Sequence, residues 1–129
     1  MNPEFIPLFW ALALFETKHF IADFLLWRRD PESDAVYGHR RVIAHAALHA
    51  ILSLPAVLIF TRSVELIAPI FAVEFYVHYH LDWLRAQIIR VRGLEPGDTR
   101  FWMIFGFGQF AHQMTYVLIL AILVRAVSP

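Results

Sequence analysis

The amino-acid sequence predicts an all-α fold, namely a four-helix up-and-down bundle that spans a membrane as one domain of residues 1–129. Hydrophobic residues make up 59% of the chain, against the roughly 45–50% that is usual in soluble domains. Four apolar segments, at about 3–28, 39–60, 64–91 and 99–125, are each long enough to cross a hydrocarbon core of about 30 Å. Each segment also carries polar or ionisable side chains at helical spacing, and ionisable groups are expensive in lipid unless they serve a function.

The first two segments are separated by a polar connection. The first segment is apolar from Phe5 to Phe15 and becomes polar from Glu16 onward. It is predicted to end at residues 28–31, because a proline disfavours helical backbone at the residue before it. Residues 32–38 are predicted to form a polar loop, and the second segment is predicted to begin at His39.

A very short connection at residues 61–63 joins the second and third segments, which are therefore predicted to form an antiparallel hairpin. Pro55 is expected to kink the second helix, and Ser63 is a candidate N-cap for the third. Residues 93–98 are rich in turn-forming residues and precede the fourth segment. The chain is thus expected to cross the membrane four times.

Basic residues lie mainly on one side of this predicted bundle. The first and third connections and their margins carry Arg28, Arg29, Arg40, Arg41, Arg85, Arg90, Arg92 and Arg100, whereas the other side carries Arg62 and Arg125. Because positively charged loops stay in the cytoplasm, we expect both basic loops to be cytoplasmic and both termini to lie outside. The predicted location is the inner membrane of a bacterium.

The most informative stretch is residues 74–82, where ionisable residues interrupt an apolar run. At about 100° per residue, Glu74, His78 and Asp82 share one face of the helix. His80 lies on the opposite face. Two carboxylates and an imidazole on one apolar helix indicate either a proton-transfer group or half of a metal site, because unpaired buried charge costs several kcal/mol.

Three further pairs occur three or four residues apart, one on each of the other helices. They are His19 with Asp23, His45 with His49, and Gln109 with His112. With a rise of about 1.5 Å per residue, all of these residues are expected on the order of 7–17 Å from the cytoplasmic side. Up-and-down connections would therefore bring all four helices' polar residues to one layer.

Histidine and carboxylate side chains on facing helices are the groups with which helical bundles hold metal ions. The candidate ligands are His19, Asp23, His45, His49, His78, Asp82 and His112. Because the chain has no cysteine, we expect nitrogen and oxygen ligation of one or two divalent ions, with zinc as the first expectation and manganese or iron as alternatives. Glu74 and Glu16 are candidate catalytic acid–base groups. Gln109 and Arg85 are expected to support the ligands or to contact a substrate.

Other interpretations of the same residues stay open. A polar network between helices needs no metal. A haem with two histidine ligands would leave the aspartates without a role. An ion or proton pathway would use the same groups, although the chain has no inverted repeat. The zero net charge gives no indication of nucleic-acid binding. The expected partners are the lipid bilayer and a lipid or amphiphilic substrate, and a homo-oligomer is left open.

Taken together, these motifs resemble a family of small prokaryotic and phage-encoded membrane proteins that is named only as a domain of unknown function. The resemblance covers nearly the whole chain and rests on His19-Phe20-Ile21-Ala22-Asp23-Phe24, His45-x3-His49, Glu74-x3-His78-x3-Asp82 and Gln109-x2-His112. The chain has Trp27, Arg85 and Gly108 where the family usually has Gln, Lys and Asp. The family is also similar in style to the predicted membrane-bound metal-dependent hydrolases, so the resemblance implies hydrolysis.

The function that we expect is therefore an intramembrane metal-dependent hydrolase that acts on a membrane-embedded or amphiphilic substrate. The alternative is a non-catalytic membrane protein that binds metal or takes part in assembly. An enzyme needs an open coordination position and a route to it, whereas a structural metal site is closed.

Overall fold

The structure, a computed structural model, describes residues 5–28 and 30–127, and over these residues it is all-helical. The prediction of an all-α fold is confirmed. The helices are α1 (Ile6–Phe20), α2 (Pro31–Asp34), α3 (Arg40–Val57), α4 (Val64–Val91) and α5 (Thr99–Val127), and a π-helical segment, Ile21–Leu26, follows α1 directly.

The first helical stretch differs from the prediction at both ends. Helix α1 begins at Ile6, and the predicted start at Pro3 lies outside the described residues. The chain leaves helical geometry at Trp27, which has extended backbone. Residues 32–38 were expected to be a loop, but the first of them belong to α2. Proline suits the first turn of a helix, because its missing N–H would have no helical partner there.

The other boundaries depend on local capping. His39 is the N-cap of α3, and its Nδ1 accepts a hydrogen bond from the Arg41 backbone N–H at 3.3 Å. Ser63 is the N-cap residue of α4, as predicted, but its hydroxyl donates to the Glu65 carboxylate and makes no cap bond to the backbone. Helix α5 continues to Val127, two residues beyond the prediction.

The π-helical segment was not predicted. Its backbone closes i→i+5 hydrogen bonds, which give a wider turn than in an α-helix and often occur at functional sites. Asp23 lies in this segment and is buried, whereas the next three residues, 24–26, are exposed. The wide turn therefore presents a single carboxylate to the interior.

The four long helices contact one another in a ring. Helix α3 packs on α1 and α4, and α5 packs on the same two helices from the other side. The short α2 packs on α3 and α4. At one end of this arrangement an apolar core includes Phe15, Tyr116 and Leu123. A smaller apolar group of Val42, Ala46 and Tyr79 lies between α3 and α4.

The outer surface of the helices is strongly apolar. Large exposed hydrophobic side chains occur on all four long helices, among them Trp10, Ile51, Val73, Phe107 and Leu118. Within the described residues, α5 is the one helix that is both long enough and apolar enough to cross a membrane. Helices α1, α3 and α4 do not combine that length with that apolarity, so the four-helix transmembrane bundle stays a prediction.

Candidate metal centre

Ionisable side chains from the π-helical segment and from α3, α4 and α5 meet in the interior. They form two groups in which the nitrogen and carboxylate oxygen atoms all lie within 4.8 Å of one another, and His78 belongs to both. The groups are Asp23, His45, His49 and His78, and His78, Asp82 and His112. All of these residues are buried. Buried histidine and aspartate side chains at this spacing could hold a metal ion.

The side chain of Asp23 links the π-helical segment to α3 through contacts with two histidines. Its Oδ1 lies 3.0 Å from Nε2 of His45 and 3.0 Å from Nε2 of His49. Both rings therefore present the same nitrogen to one carboxylate oxygen. Since His45 and His49 are one turn apart on α3, their separation in sequence sets this arrangement.

The side chain of Asp82 contacts histidines of α3, α4 and α5. Its Oδ2 lies 3.3 Å from Nε2 of His45 and 3.3 Å from Nε2 of His78. Its Oδ1 lies 3.3 Å from Nε2 of His112 and forms an ion pair with Nη2 of Arg85, at 2.6 Å. The Arg85 guanidinium thus offsets the charge of a carboxylate that would otherwise be costly to bury.

One ring nitrogen of His78, Nε2, lacks a hydrogen-bond partner. Its Nε2 is fully buried and has no hydrogen bond of acceptable geometry, although Asp82 is near. Two ligand atoms bound to one tetrahedral ion at about 2.0–2.1 Å lie about 3.3 Å apart. The contacts of Asp23 and Asp82 with the four histidines, at 3.0 to 3.3 Å, have this spacing. The same distances also suit hydrogen bonds, so the spacing is compatible with a metal ion, and the cluster of these four histidines and two aspartates could hold one.

His19 lies at the edge of the cluster and belongs to neither of the two ligand groups. Gln109 donates through Nε2 to Asp23 Oδ2 at 3.1 Å, so its Oε1 is an acceptor. His19 Nε2, 2.6 Å from that oxygen, must then carry a proton, and its Nδ1 accepts from the Tyr116 hydroxyl at 2.9 Å. Both ring nitrogens of His19 thus have hydrogen-bond partners, and Gln109 links His19 to Asp23. The role of His19 as a metal ligand stays a prediction.

A buried ion pair lies beside the cluster. Lys18 Nζ is 2.6 Å from Oε1 of Glu74, and the two side chains are 6% and 1% exposed. The same Nζ lies 3.3 Å from both Nδ1 and the backbone oxygen of His49. The structure therefore places Glu74, a predicted catalytic group, on Lys18 and not among the candidate ligands. The sequence analysis did not single out Lys18, although a lysine next to His19 in an apolar helix was a usable signal.

Three other residues that the sequence analysis named, one of them a predicted catalytic group, lie outside the two ligand groups. Glu16, the second predicted acid–base group, is exposed on α1. His80 is half-buried and lies near the Tyr37 hydroxyl, on the face of α4 that does not carry His78. Trp27 packs against the ring of His45, with centroids 4.6 Å apart.

A small cavity borders the cluster on the α2 side. It has a volume of about 10 Å³ and is lined by Trp27, Asp34, Val42, His45 and Asp82. That volume is about enough for a single water molecule. Asp34 was expected in a polar loop, and it comes to the site only because α2 folds back against α3 and α4.

Gly108 leaves the space in which the Arg85 side chain lies. A Cβ built on Gly108 would lie 3.1 Å from Cδ of Arg85, whereas one on Gly106 meets nothing within 4 Å. Overpacking typically costs about 1–3 kcal/mol, and Gly→Ala without a clash stabilises by about 0.4–1 kcal/mol. Gly108→Ala is therefore expected to unfold more easily than Gly106→Ala, by about 1 kcal/mol or more, in titrations with a denaturing detergent. If the two variants were equally stable, the position of the Arg85 side chain would not depend on the space at Gly108.

Comparison of the chain with protein-family models, with curated protein sequences and with solved structures finds no match.

Proposed function

We propose that this chain is an integral membrane protein, a four-helix up-and-down bundle that holds one or two divalent metal ions and hydrolyses an amphiphilic substrate. The observation that carries the proposal is the buried cluster of four histidines and two aspartates, in which Nε2 of His78 faces the other candidate ligands without a hydrogen-bond partner. Zinc is the first candidate ion, because imidazole and carboxylate ligands at tetrahedral spacing suit it.

The distribution of polar and apolar side chains supports the membrane part of the proposal. Ionisable groups such as Lys18, Glu74 and Asp82 lie inside, whereas large apolar groups such as Trp10 and Phe107 lie outside. Exposed apolar surface of this extent is rare in a water-soluble protein. Ionisable residues within membrane segments face the interior and mark functional sites.

The hydrolytic part rests on the chemistry of the donor set and on the small cavity beside it. A divalent ion in the cluster would supply Lewis acidity, polarising the scissile group and activating water. His45 and Asp82 face the cavity, and Asp34 borders it without belonging to either ligand group. Asp34 is thus the carboxylate placed to accept a proton from water, in the role that the sequence suggested for Glu74 or Glu16.

The closed surroundings of the cluster favour a second candidate function, a non-catalytic metal site. All six candidate ligands are buried, and the adjoining cavity holds about one water molecule. Structural metal sites are closed in this way, and catalytic ones keep a position open. Haem fits less well, because the rings of His49 and His78 stack at 3.6 Å and those of His78 and His112 at 4.0 Å, which leaves no space for a porphyrin between them.

Elemental analysis of protein purified in a mild detergent tests the proposal. We expect one or two divalent ions per chain after dialysis without added metal, and a higher midpoint of thermal unfolding with metal than with chelator, because a ligand that binds the folded state stabilises it. Protein that carries less than about 0.1 ion per chain, and that zinc, manganese and iron all fail to stabilise, would leave the cluster as a polar packing network.

The variant Asp34→Asn separates the two candidate functions. If the protein is a hydrolase, the wild type cleaves a chromogenic long-chain carboxyl ester or phosphodiester, and Asp34→Asn lowers kcat by about 10²–10⁴-fold while metal content stays the same. Glu65→Gln, at an exposed carboxylate outside the candidate site, serves as the control and should keep wild-type kcat. Metal-loaded protein without activity on either substrate class would favour the non-catalytic site.

A further inference from the structure

A groove lies between the end of α4 and the start of α5. Its volume is about 260 Å³, and its walls are formed by Ile88, Arg92, Leu94, Arg100, Met103 and Ile104. None of the candidate metal ligands is among these residues. The α4–α5 groove is therefore separate from the candidate metal centre.

The polarity of the α4–α5 groove changes along the helices. Arg92 and Arg100, both exposed, lie at the end of the groove that is next to the connection between the helices. Ile88 precedes Arg92 by one turn of α4, and Ile104 follows Arg100 by one turn of α5. A turn rises about 5.4 Å. The groove is thus cationic at the connection and apolar one turn closer to the middle of the helices.

The backbone around the α4–α5 groove is held in place by hydrogen bonds to both helices. The Leu94 N–H donates to the backbone oxygen of Ile89 at 3.0 Å, after Gly93 with its left-handed φ of 58°. This bond closes the end of α4 and holds Leu94 against it. On the other side, Nε1 of Trp102 donates to the backbone oxygen of Pro96 at 2.8 Å. The connection that separates the two arginines is therefore fastened to α4 and to α5.

The charge of the α4–α5 groove favours an anion. Its lining holds two guanidiniums and, within the part of the chain that the structure describes, no carboxylate. Asp98 lies 3.7 Å from Arg100, but the two side chains are 41% and 70% exposed, and exposed pairs of this kind are weak. Glu95 lines the neighbouring cavity on the α2 side and not this groove. An arginine has five N–H donors, so Arg100 can contact Asp98 and a phosphate together.

We propose that the α4–α5 groove binds an anionic phospholipid of the bilayer, with the phosphate at Arg92 and Arg100 and an acyl chain along the apolar wall. The proposal rests on the membrane part of the proposed function and adds a lipid site away from the metal centre. The order of the walls matches a lipid, whose phosphate lies at the membrane surface and whose chains point inward. Exposed Trp102 lies beside the groove, and tryptophan is enriched at the depth of lipid headgroups.

Native mass spectrometry of the protein in dodecyl maltoside with a chelator tests the proposal. Dioleoylphosphatidylglycerol and dioleoylphosphatidylcholine are added separately, because they have the same chains and only the first has a net negative charge. We expect the wild type to bind phosphatidylglycerol at least about tenfold more tightly, since each arginine near a membrane surface favours anionic lipid. Equal binding of the two lipids would overturn the proposal.

A matched pair of double variants separates the groove from general surface charge. Arg92→Gln/Arg100→Gln should lower the affinity for phosphatidylglycerol by at least about tenfold. Arg28→Gln/Arg40→Gln makes the same change of net charge at exposed arginines outside the groove. It should change the affinity by less than about twofold, because distant exposed charges are screened by salt. Equal losses in the two double variants would show that the charge acts diffusely and would overturn the proposal.

Glycerol phosphate distinguishes a lipid from a free phosphate. At the same concentration as the lipid it should leave phosphatidylglycerol bound, because it has no chain to lie on the apolar wall. Full displacement would assign the two arginines to a soluble phosphate and overturn the lipid site.

The lipid result is independent of the metal. Selective binding of phosphatidylglycerol by protein that holds no ion would keep the lipid site and reject the metal centre. Metal binding without lipid selectivity would keep the proposed function and reject the lipid site.

Discussion

His78→Ala is expected to abolish metal binding, whereas His80→Ala is expected to leave it unchanged. His78 is the one residue common to both candidate ligand groups, so its removal opens both at once. Loss of a residue that merely supports a ligand costs about 10–100-fold in metal affinity, and loss of a shared ligand should cost more. Metal content by elemental analysis and affinity by competition with a chelator measure the effect.

His80 is a matched control, because it is the same residue type two positions away on α4. It contacts Tyr37 and the backbone of Tyr76 on the other side of the helix. Both variants should retain the helical circular dichroism of the wild type, since neither removes a helix-packing contact of the apolar core. Equal metal content in the two variants would show that the face of α4 does not determine binding, and the cluster would then be a packing network.

Lys18→Met is expected to be the most destabilising single substitution outside the metal ligands. It leaves the carboxylate of Glu74 buried without its cation, and breaking a buried ion pair in this way costs about 3–5 kcal/mol. The second oxygen of Glu74 already has no hydrogen-bond partner, so little else can offset the charge. The free energy of unfolding, measured by titration with a denaturing detergent in mixed micelles, reports the loss.

The double variant Lys18→Met/Glu74→Leu should recover most of that loss, because an apolar pair of similar volume often replaces a buried ion pair at no net cost. Glu16→Gln, on the exposed side of the same helix, should change the stability by less than about 0.5 kcal/mol. If the double variant is no more stable than Lys18→Met alone, the two residues do not act as a pair.

The helices themselves could be predicted because their signals are local. Four long apolar stretches set the number of long helices, and α4 begins and ends at the predicted residues, Val64 and Val91. The prediction that His78 and His80 lie on opposite faces needed only the helical repeat of about 100° per residue. The meeting of polar residues from four helices needed only that repeat, the rise per residue and the short connections.

The partners of each side chain depended on the tertiary structure. Whether His19 binds Gln109 and Tyr116 or joins the ligands is decided by a few ångströms between α1 and α5. The pairing of Lys18 with Glu74 spans 56 positions of sequence. Distances of this kind depend on how the helices rotate and tilt against each other, and hydrophobic periodicity restricts those rotations only to a broad face.

The backbone departures from the prediction have a similar cause. The π-helical turn at Asp23 and the short helix α2 have little local signal, because each is stabilised by what it packs against. Helix α2 brings Asp34 to the edge of the cluster only through its contacts with α3 and α4. The sequence by itself thus determined the helices and the layer in which their polar residues meet. The tertiary structure decided which of those residues lie within ligand distance, because packing between helices sets those distances.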